Sequence, residues 1–149
     1  RVYALRDDND FPGMRVLQFG FDGDPNNPHH PGAITEATIA YTGTHDNDTA
    51  AGWWESLDQR MQSNVAESIG ISADADPDTA VWGLIEAAIA SPAIAAVVPI
   101  QDLLVLGGEA RMNVPGTTVG NWNWRMAPGL LTPELAARLR SVAERAGRT

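Results

Sequence analysis

Three short apolar runs that each end in carboxylates constrain this chain more than any other feature. Met14 to Phe21 leads to Asp22 and Asp24, Thr38 to Tyr41 leads to Asp46 and Asp48, and Ile94 to Ile100 leads to Gln101 and Asp102. Each run is too short for a core-spanning helix and apolar or β-branched enough for a buried strand. The connection between the second and third runs has helical spacing. Strands joined through helices enter a sheet in the same direction, so the pattern predicts consecutive units of a parallel α/β sheet or barrel. In such folds ligands bind at the carboxyl ends of the strands, where these carboxylates would gather.

Helix signals fill the connections. Gly43 allows a sharp turn after the second run, and Asp48 or Thr49 offers an oxygen to the free amides of a helix through Trp53, Trp54 and Leu57. Met61 to Ile69 continues as helix until Gly70. Asp76-Pro77 is a start signal, with a capping carboxylate and a proline whose missing amide costs nothing there. Val81, Leu84, Ile85, Ala88 and Ile89 then recur at helical spacing and read as core, and Ser91-Pro92 ends that helix. Leu103 to Leu106 is expected to form a helical turn. Thr132-Pro133-Glu134 opens a closing helix over 133–146, with Leu135, Leu139 and Val142 as its buried stripe and Arg138, Arg140 and Arg145 solvated. Residues 22–37 and 109–124 are long loops, which in compact domains often carry function. His29 and His30, in the first, have no acidic residue at metal-ligand spacing and read as surface polar groups, so no metal site is expected.

Composition narrows the function. Nineteen acidic against ten basic residues among 149 give a net charge of -9, and no basic block exists to attract nucleic acid or an anionic membrane. The absence of cysteine removes disulfides and thiolate metal sites and fits a reducing, cytoplasmic setting. No uninterrupted apolar stretch is long enough to span a bilayer. Arg1 to Arg6 reads as the middle of an amphipathic helix without an initiator methionine, so the chain is expected to be part of a longer one.

Asp46, Asp48 and Asp102, with Asp22 or Asp24, suit acid/base or nucleophilic carboxylate chemistry. Trp53 and Trp82 lie in helices and read as core. Trp122 and Trp124 lie in a loop rich in glycine and asparagine; indole faces pack on the C–H faces of sugar rings while carboxylates and amides bind hydroxyls. The mixture suits a saccharide.

Five segments resemble, in order, the carboxyl-terminal third of the 4-α-glucanotransferases, also called amylomaltases or disproportionating enzymes, glycoside hydrolase family seventy-seven. They are Phe11-Pro12-Gly13-Met14-Arg15-Val16-Leu17-Gln18-Phe19, Tyr41-Thr42-Gly43-Thr44-His45-Asp46-Asn47-Asp48-Thr49, Pro99-Ile100-Gln101-Asp102-Leu103-Leu104, Asn113-Val114-Pro115-Gly116-Thr117 and Asn121-Trp122-Asn123-Trp124-Arg125. Val105 stands where the resemblance leads one to expect glycine.

The resemblance implies that residues 1–149 are the carboxyl-terminal portion of a (β/α)₈ TIM-barrel catalytic domain, an incomplete barrel that the amino-terminal part would complete. It implies retaining transfer of α-1,4-glucan segments between malto-oligosaccharides, without a cofactor. Such chemistry needs a nucleophilic carboxylate and an acid/base carboxyl about 5 Å apart. In the family both precede the Phe-Pro-Gly-Met segment, so this chain alone is expected to be inactive. Asp46 resembles the third acid, which binds the sugar 2- and 3-hydroxyls and stabilises the transition state. His45, Asn121 and Trp122 are expected to bind substrate. Asp102, Asn113 and Arg125 match family motifs and are expected to brace the residues that do, and Asp48 is expected to cap the helix that follows. Two alternatives remain: a non-catalytic glucan-binding or subunit-like segment, and an enzyme using an Asp46 and Asp102 pair.

Overall fold

The structure is a computed structural model that describes residues 1–24 and 26–148. Three strands, β1 (Gly13–Val16), β2 (Thr38–Tyr41) and β3 (Ala95–Val97), form a parallel sheet in the order β1-β2-β3. Gly13 stands opposite Thr38 and Val16 opposite Tyr41, while Ile39 to Tyr41 run beside Ala95 to Val97. The order in space is the order in sequence, as expected of consecutive parallel units.

Helices α1 (Val2–Asp7), α2 (Ala50–Ser56), α3 (Gln59–Ile69), α4 (Pro77–Ala90), α5 (Ile100–Leu103) and α6 (Pro133–Arg145) complete the fold. Their limits follow from local chemistry. Asp58, Asp76 and Thr132 accept from backbone amides of Met61, Thr79 and Leu135 at 2.8, 2.7 and 3.2 Å, each closing a first turn. Gly70 ends α3 at φ 74°, a left-handed position that favours a residue without a Cβ. The carboxyl end of α4 is covered differently: Arg148 donates to the carbonyls of Ile89 at 2.6 Å, Ser91 at 2.7 Å and Ala93.

Helix α4 is the centre of the core. Val81, Leu84, Ile85 and Ala88 are fully buried, and Trp82 and Ile89 nearly so; each large apolar side chain contributes roughly 1.5–3 kcal/mol by leaving water. Trp54 joins them and donates its indole N–H to the Ala75 carbonyl at 3.2 Å. On the sheet side, Ala40 and the Ala96 beside it let α4 approach closely. The opposite face carries Met14, Ile39, Tyr41, Ala95 and Val97, and Met14 and Val97 are 51% and 43% exposed.

Some expected boundaries are corrected. The first strand stops at Val16, because Leu17–Phe19 tightens into a 3₁₀ turn. The run Ile94 to Ile100 contributes only Ala95–Val97 as strand. Pro99 precedes the first turn of α5, so Ile100, Gln101 and Asp102 are helical and the helical turn falls earlier than Leu103 to Leu106. That strand is not covered on both faces, since Val97 is exposed. Arg138 and Arg145 are not simply solvated. Arg138 forms a bidentate pair with Asp78 at 2.9 and 2.7 Å and lies 4.0 Å over the Trp82 ring, and Arg145 pairs with Glu86 at 2.7 Å, so α6 is tied to α4.

Candidate functional site

The site grows from the end of β2. Thr42 is buried, and a Cβ at Gly43 would stand 2.7 Å from the Gln18 side-chain nitrogen, so the chain turns where little room exists. Asn47 closes the turn: its Oδ1 accepts from the Thr44 amide at 3.0 Å and hydroxyl at 2.7 Å, and its own amide donates to the Thr44 carbonyl at 3.1 Å. This projects His45 and Asp46, whose side chains are 55% and 52% exposed. Thr49 then caps α2 by accepting from the Gly52 amide at 3.1 Å. The expected helix-cap role of Asp48 is thereby corrected. Its carboxylate accepts from the Thr49 amide at 2.8 Å and is wedged beside Gly52, where a Cβ would come within 2.9 Å of its Oδ1.

Asp102 is the buried support. Its Oδ2 accepts from the Thr42 hydroxyl at 2.6 Å and its Oδ1 from the Ala50 amide at 2.7 Å, which binds the end of β2 to the first turn of α2. Only 1% of the residue is exposed, and burial raises its carboxyl above the ordinary range against the lowering effect of those two donors. With both oxygens engaged inside the protein, Asp102 does not form a substrate-facing pair with Asp46.

The long loop after Ala110 folds back over the turn. Asn113 donates its side-chain amide to Asp46 Oδ1 at 2.6 Å and its backbone amide to the His45 carbonyl at 3.1 Å. Arg111 donates to the Asp46 carbonyl at 2.7 Å and the Asn113 carbonyl at 2.8 Å. Trp122, at φ 62° and 52% exposed, donates its backbone amide to the Met112 carbonyl at 2.7 Å and sets its ring 5.1 Å from that of His45. Asn121 turns inward on its loop, accepting from the Val114 amide at 2.9 Å and donating to Thr117. Arg125 likewise donates to the carbonyls of Trp122 and Trp124, at 3.0 and 2.8 Å.

A cavity of about 200 Å³ opens here, lined by Thr44, His45, Asn47, Asp48, Arg111 and Met112 among others. Of the residues expected from sequence, His45, Asp46, Asn113 and Trp122 meet in one cluster above the Asp48 and Asp102 supports. Asp22 and Asp24 do not join it. They close their own loop by accepting from the amides of Asp24 and Asn26, and the first of these bonds holds Asp22 below the usual carboxylate range. His29 is not a plain surface residue either: its Nδ1 accepts from the Val16 amide at 2.9 Å, and burial, then the Arg15 charge, lower its pKa. Arg111 was not among the expected site residues. It sits alone in a loop, and its importance depends on a turn 65 residues away. Among the described residues no three histidine, aspartate or glutamate side chains are grouped to hold a metal, and no helix is long and apolar enough to cross a membrane.

Known proteins resemble this chain over most of its length. Residues 1–132 match the family model described as 4-alpha-glucanotransferase. The chain is 46% identical over 125 residues to the chloroplastic/amyloplastic 4-alpha-glucanotransferase DPE1 of Arabidopsis thaliana, covering 84% of this chain and 21% of that protein. It is 45% identical over 148 residues to the 4-alpha-glucanotransferase of Thermus thermophilus, covering 96% and 29%. The solved structure of an amylomaltase from Streptococcus agalactiae in complex with acarbose superposes with a TM-score of 0.91 at 32% identity, covering 99% of this chain and 30% of that one. The chain thus spans between about a fifth and three tenths of the length of these relatives.

Proposed function

Since the chain belongs to the 4-alpha-glucanotransferase family, glycoside hydrolase family 77, we propose that it supplies the closing β/α units of a (β/α)₈ catalytic barrel that moves α-1,4-glucan segments between malto-oligosaccharides. Three parallel strands in sequential order, with the exposed His45 and Asp46 just beyond the carboxyl end of β2, support this reading. So does the amylomaltase superposition over nearly the whole chain. In this reading residues 1–149 are the carboxyl-terminal part of the catalytic domain, and the nucleophile and acid/base lie outside them.

The observation that carries the assignment is Asp46: half exposed, with one carboxylate oxygen fixed by Asn113, beside the ring of His45. Such a carboxylate can accept from two adjacent sugar hydroxyls. Those bonds tighten as the ring flattens toward an oxocarbenium ion, so they lower the barrier more than they strengthen ground-state binding. His45 supplies a neighbouring hydrogen-bonding group, and the exposed Trp122 ring an apolar surface for a sugar face. Asn121 and Arg125 shape the loop that presents Trp122, and Asp48 and Asp102 support the turn that presents Asp46.

The test is Asp46→Asn in a full-length enzyme carrying this segment. Maltotriose disproportionation should fall by orders of magnitude at unchanged melting temperature, with KM altered far less than kcat. A folded variant with near-normal turnover would end the assignment. The isolated segment should show no disproportionation at all. If it binds malto-oligosaccharides without turnover, the exposed pair of Trp122 and His45 makes a non-catalytic glucan-binding role the better reading for the segment by itself.

A further inference from the structure

We propose that Arg111 is the positioning residue that fixes Asp46 in its working geometry; the proposal rests on the reading of Asp46 given above. The guanidinium edge donates from Nε to the Asn113 carbonyl at 2.8 Å and from Nη2 to the Asp46 carbonyl at 2.7 Å. These two backbones belong to the two residues whose side chains meet at 2.6 Å. A planar group with fixed spacing between its donors therefore sets the separation of the main chains that carry the pair. The third corner, Nη1, lies 3.9 Å from Asp48 Oδ2, and Asp48 is itself held by the Thr49 amide. Arg111 thus links the Asp46 turn, the Asn113 loop and the entry to α2.

The contacts identify this role rather than sugar binding. Both close hydrogen bonds of Arg111 go to backbone carbonyls, and its side chain is only 25% exposed, against 52% for Asp46. Lysine at this position keeps the charge but cannot hold two carbonyls at a fixed spacing from one rigid plane. A misplacement of the order of 1 Å at a reacting centre can cost roughly a hundredfold in rate.

The experiment is a double-mutant cycle in the full-length enzyme with maltotriose, using Arg111→Lys, Asp46→Asn and the double variant. Arg111→Lys should lower kcat by about 10- to 100-fold, with KM changed less than about twofold and the melting temperature nearly kept. In the Asp46→Asn background the same change should cost less than about twofold, because the residue through which Arg111 acts has already been disabled. An equal loss in both backgrounds, a loss expressed mainly in KM, or no loss at all would each overturn the proposal. If Arg111→Lys does not fold, Arg111→Gln is measured in the same way; failure of both to fold makes Arg111 a stability residue and also overturns it. Near-normal turnover of Asp46→Asn overturns the assignment of Asp46 and this proposal together. A disabled Asp46→Asn beside an unaffected Arg111→Lys overturns only the role of Arg111.

Discussion

Asn113 and Asp46 are 67 residues apart in sequence and joined by a 2.6 Å hydrogen bond from the amide of one to the carboxylate of the other. A separate bond, from the Asn113 backbone amide to the His45 carbonyl at 3.1 Å, holds the same two segments together. Replacing the side chain alone therefore separates orientation from folding. Asn113→Ala in the full-length enzyme should melt normally while losing about one to two powers of ten in kcat, since the backbone bond keeps the loop in place but Asp46 can rotate. An activity assay run beside a melting curve checks this; unaltered kcat would show that Asp46 needs no such partner.

Asp102 yields a contrast between two substitutions. Asp102→Ala strands the Thr42 hydroxyl and the Ala50 amide in the interior and should cost about 2–4 kcal/mol. Asp102→Asn keeps an acceptor for Ala50 and a partner for Thr42 and should be close to neutral. Burial raises the Asp102 carboxyl in the folded state. Its contribution is therefore fully present below the unfolded value and fades as pH rises through the folded value, so ionising Asp102 weakens the fold. Denaturant titrations at two pH values should show Asp102→Asn gaining on the parent as pH rises.

His29 has the opposite acid behaviour. Its Nδ1 accepts from the Val16 amide, which only the unprotonated nitrogen can do, and burial followed by the Arg15 charge lowers its pKa from 6.5. The stabilisation is present above the unfolded value and is lost as pH falls through the depressed folded one. His29→Asn, whose carbonyl oxygen takes the place of Nδ1, should remove this part of the acid sensitivity. Melting temperatures from pH 8 to pH 5 should fall more steeply in the parent than in the variant.

Val105 occupies φ 53°, in the left-handed region that β-branched residues avoid at a cost of roughly 1–2 kcal/mol. Glycine removes that strain but gives back roughly 0.5–1 kcal/mol of chain entropy, along with a partly buried side chain packed on the core. With these terms opposed, Val105→Gly should be close to neutral, unlike most truncations of valine. A clear drop in melting temperature would mean that packing outweighs backbone strain here.

Local patterns were readable from the sequence where one short-range interaction decides the outcome. β2 occupies Thr38–Tyr41 as expected, and the starts of α4 and α6 fall at Asp76-Pro77 and Thr132-Pro133 because cap and proline act within one turn. The run Ile94 to Ile100 misled because hydropathy does not show where Pro99 turns a strand into a helix. Distant partners were not readable. Nothing near Asp102 shows that its oxygens serve Thr42 and Ala50, nothing near His29 shows that it meets β1, and Arg111 has no local pattern at all. Arg138 reads as a solvated helix charge until Asp78 and Trp82 are seen against it. Asp46 and His45 stand out because a polar turn follows a buried strand, while the roles proposed for them rest on the family resemblance.

The long sequence spans of these contacts also have a consequence in time. Thr42 waits 60 residues for Asp102, and Asp46 waits 65 and 67 residues for Arg111 and Asn113. At about 5–20 residues per second, roughly 3–13 s of synthesis separate the turn from the loop that fixes it. Over that interval the β2 end and the Asp46 turn exist without their partners, so the site is completed after the sheet and α4 have been made. A chain halted before residue 102 should hold the Thr44–Asn47 hydrogen bonds that close the turn, yet lack the Asp102, Arg111 and Asn113 contacts that brace it from outside.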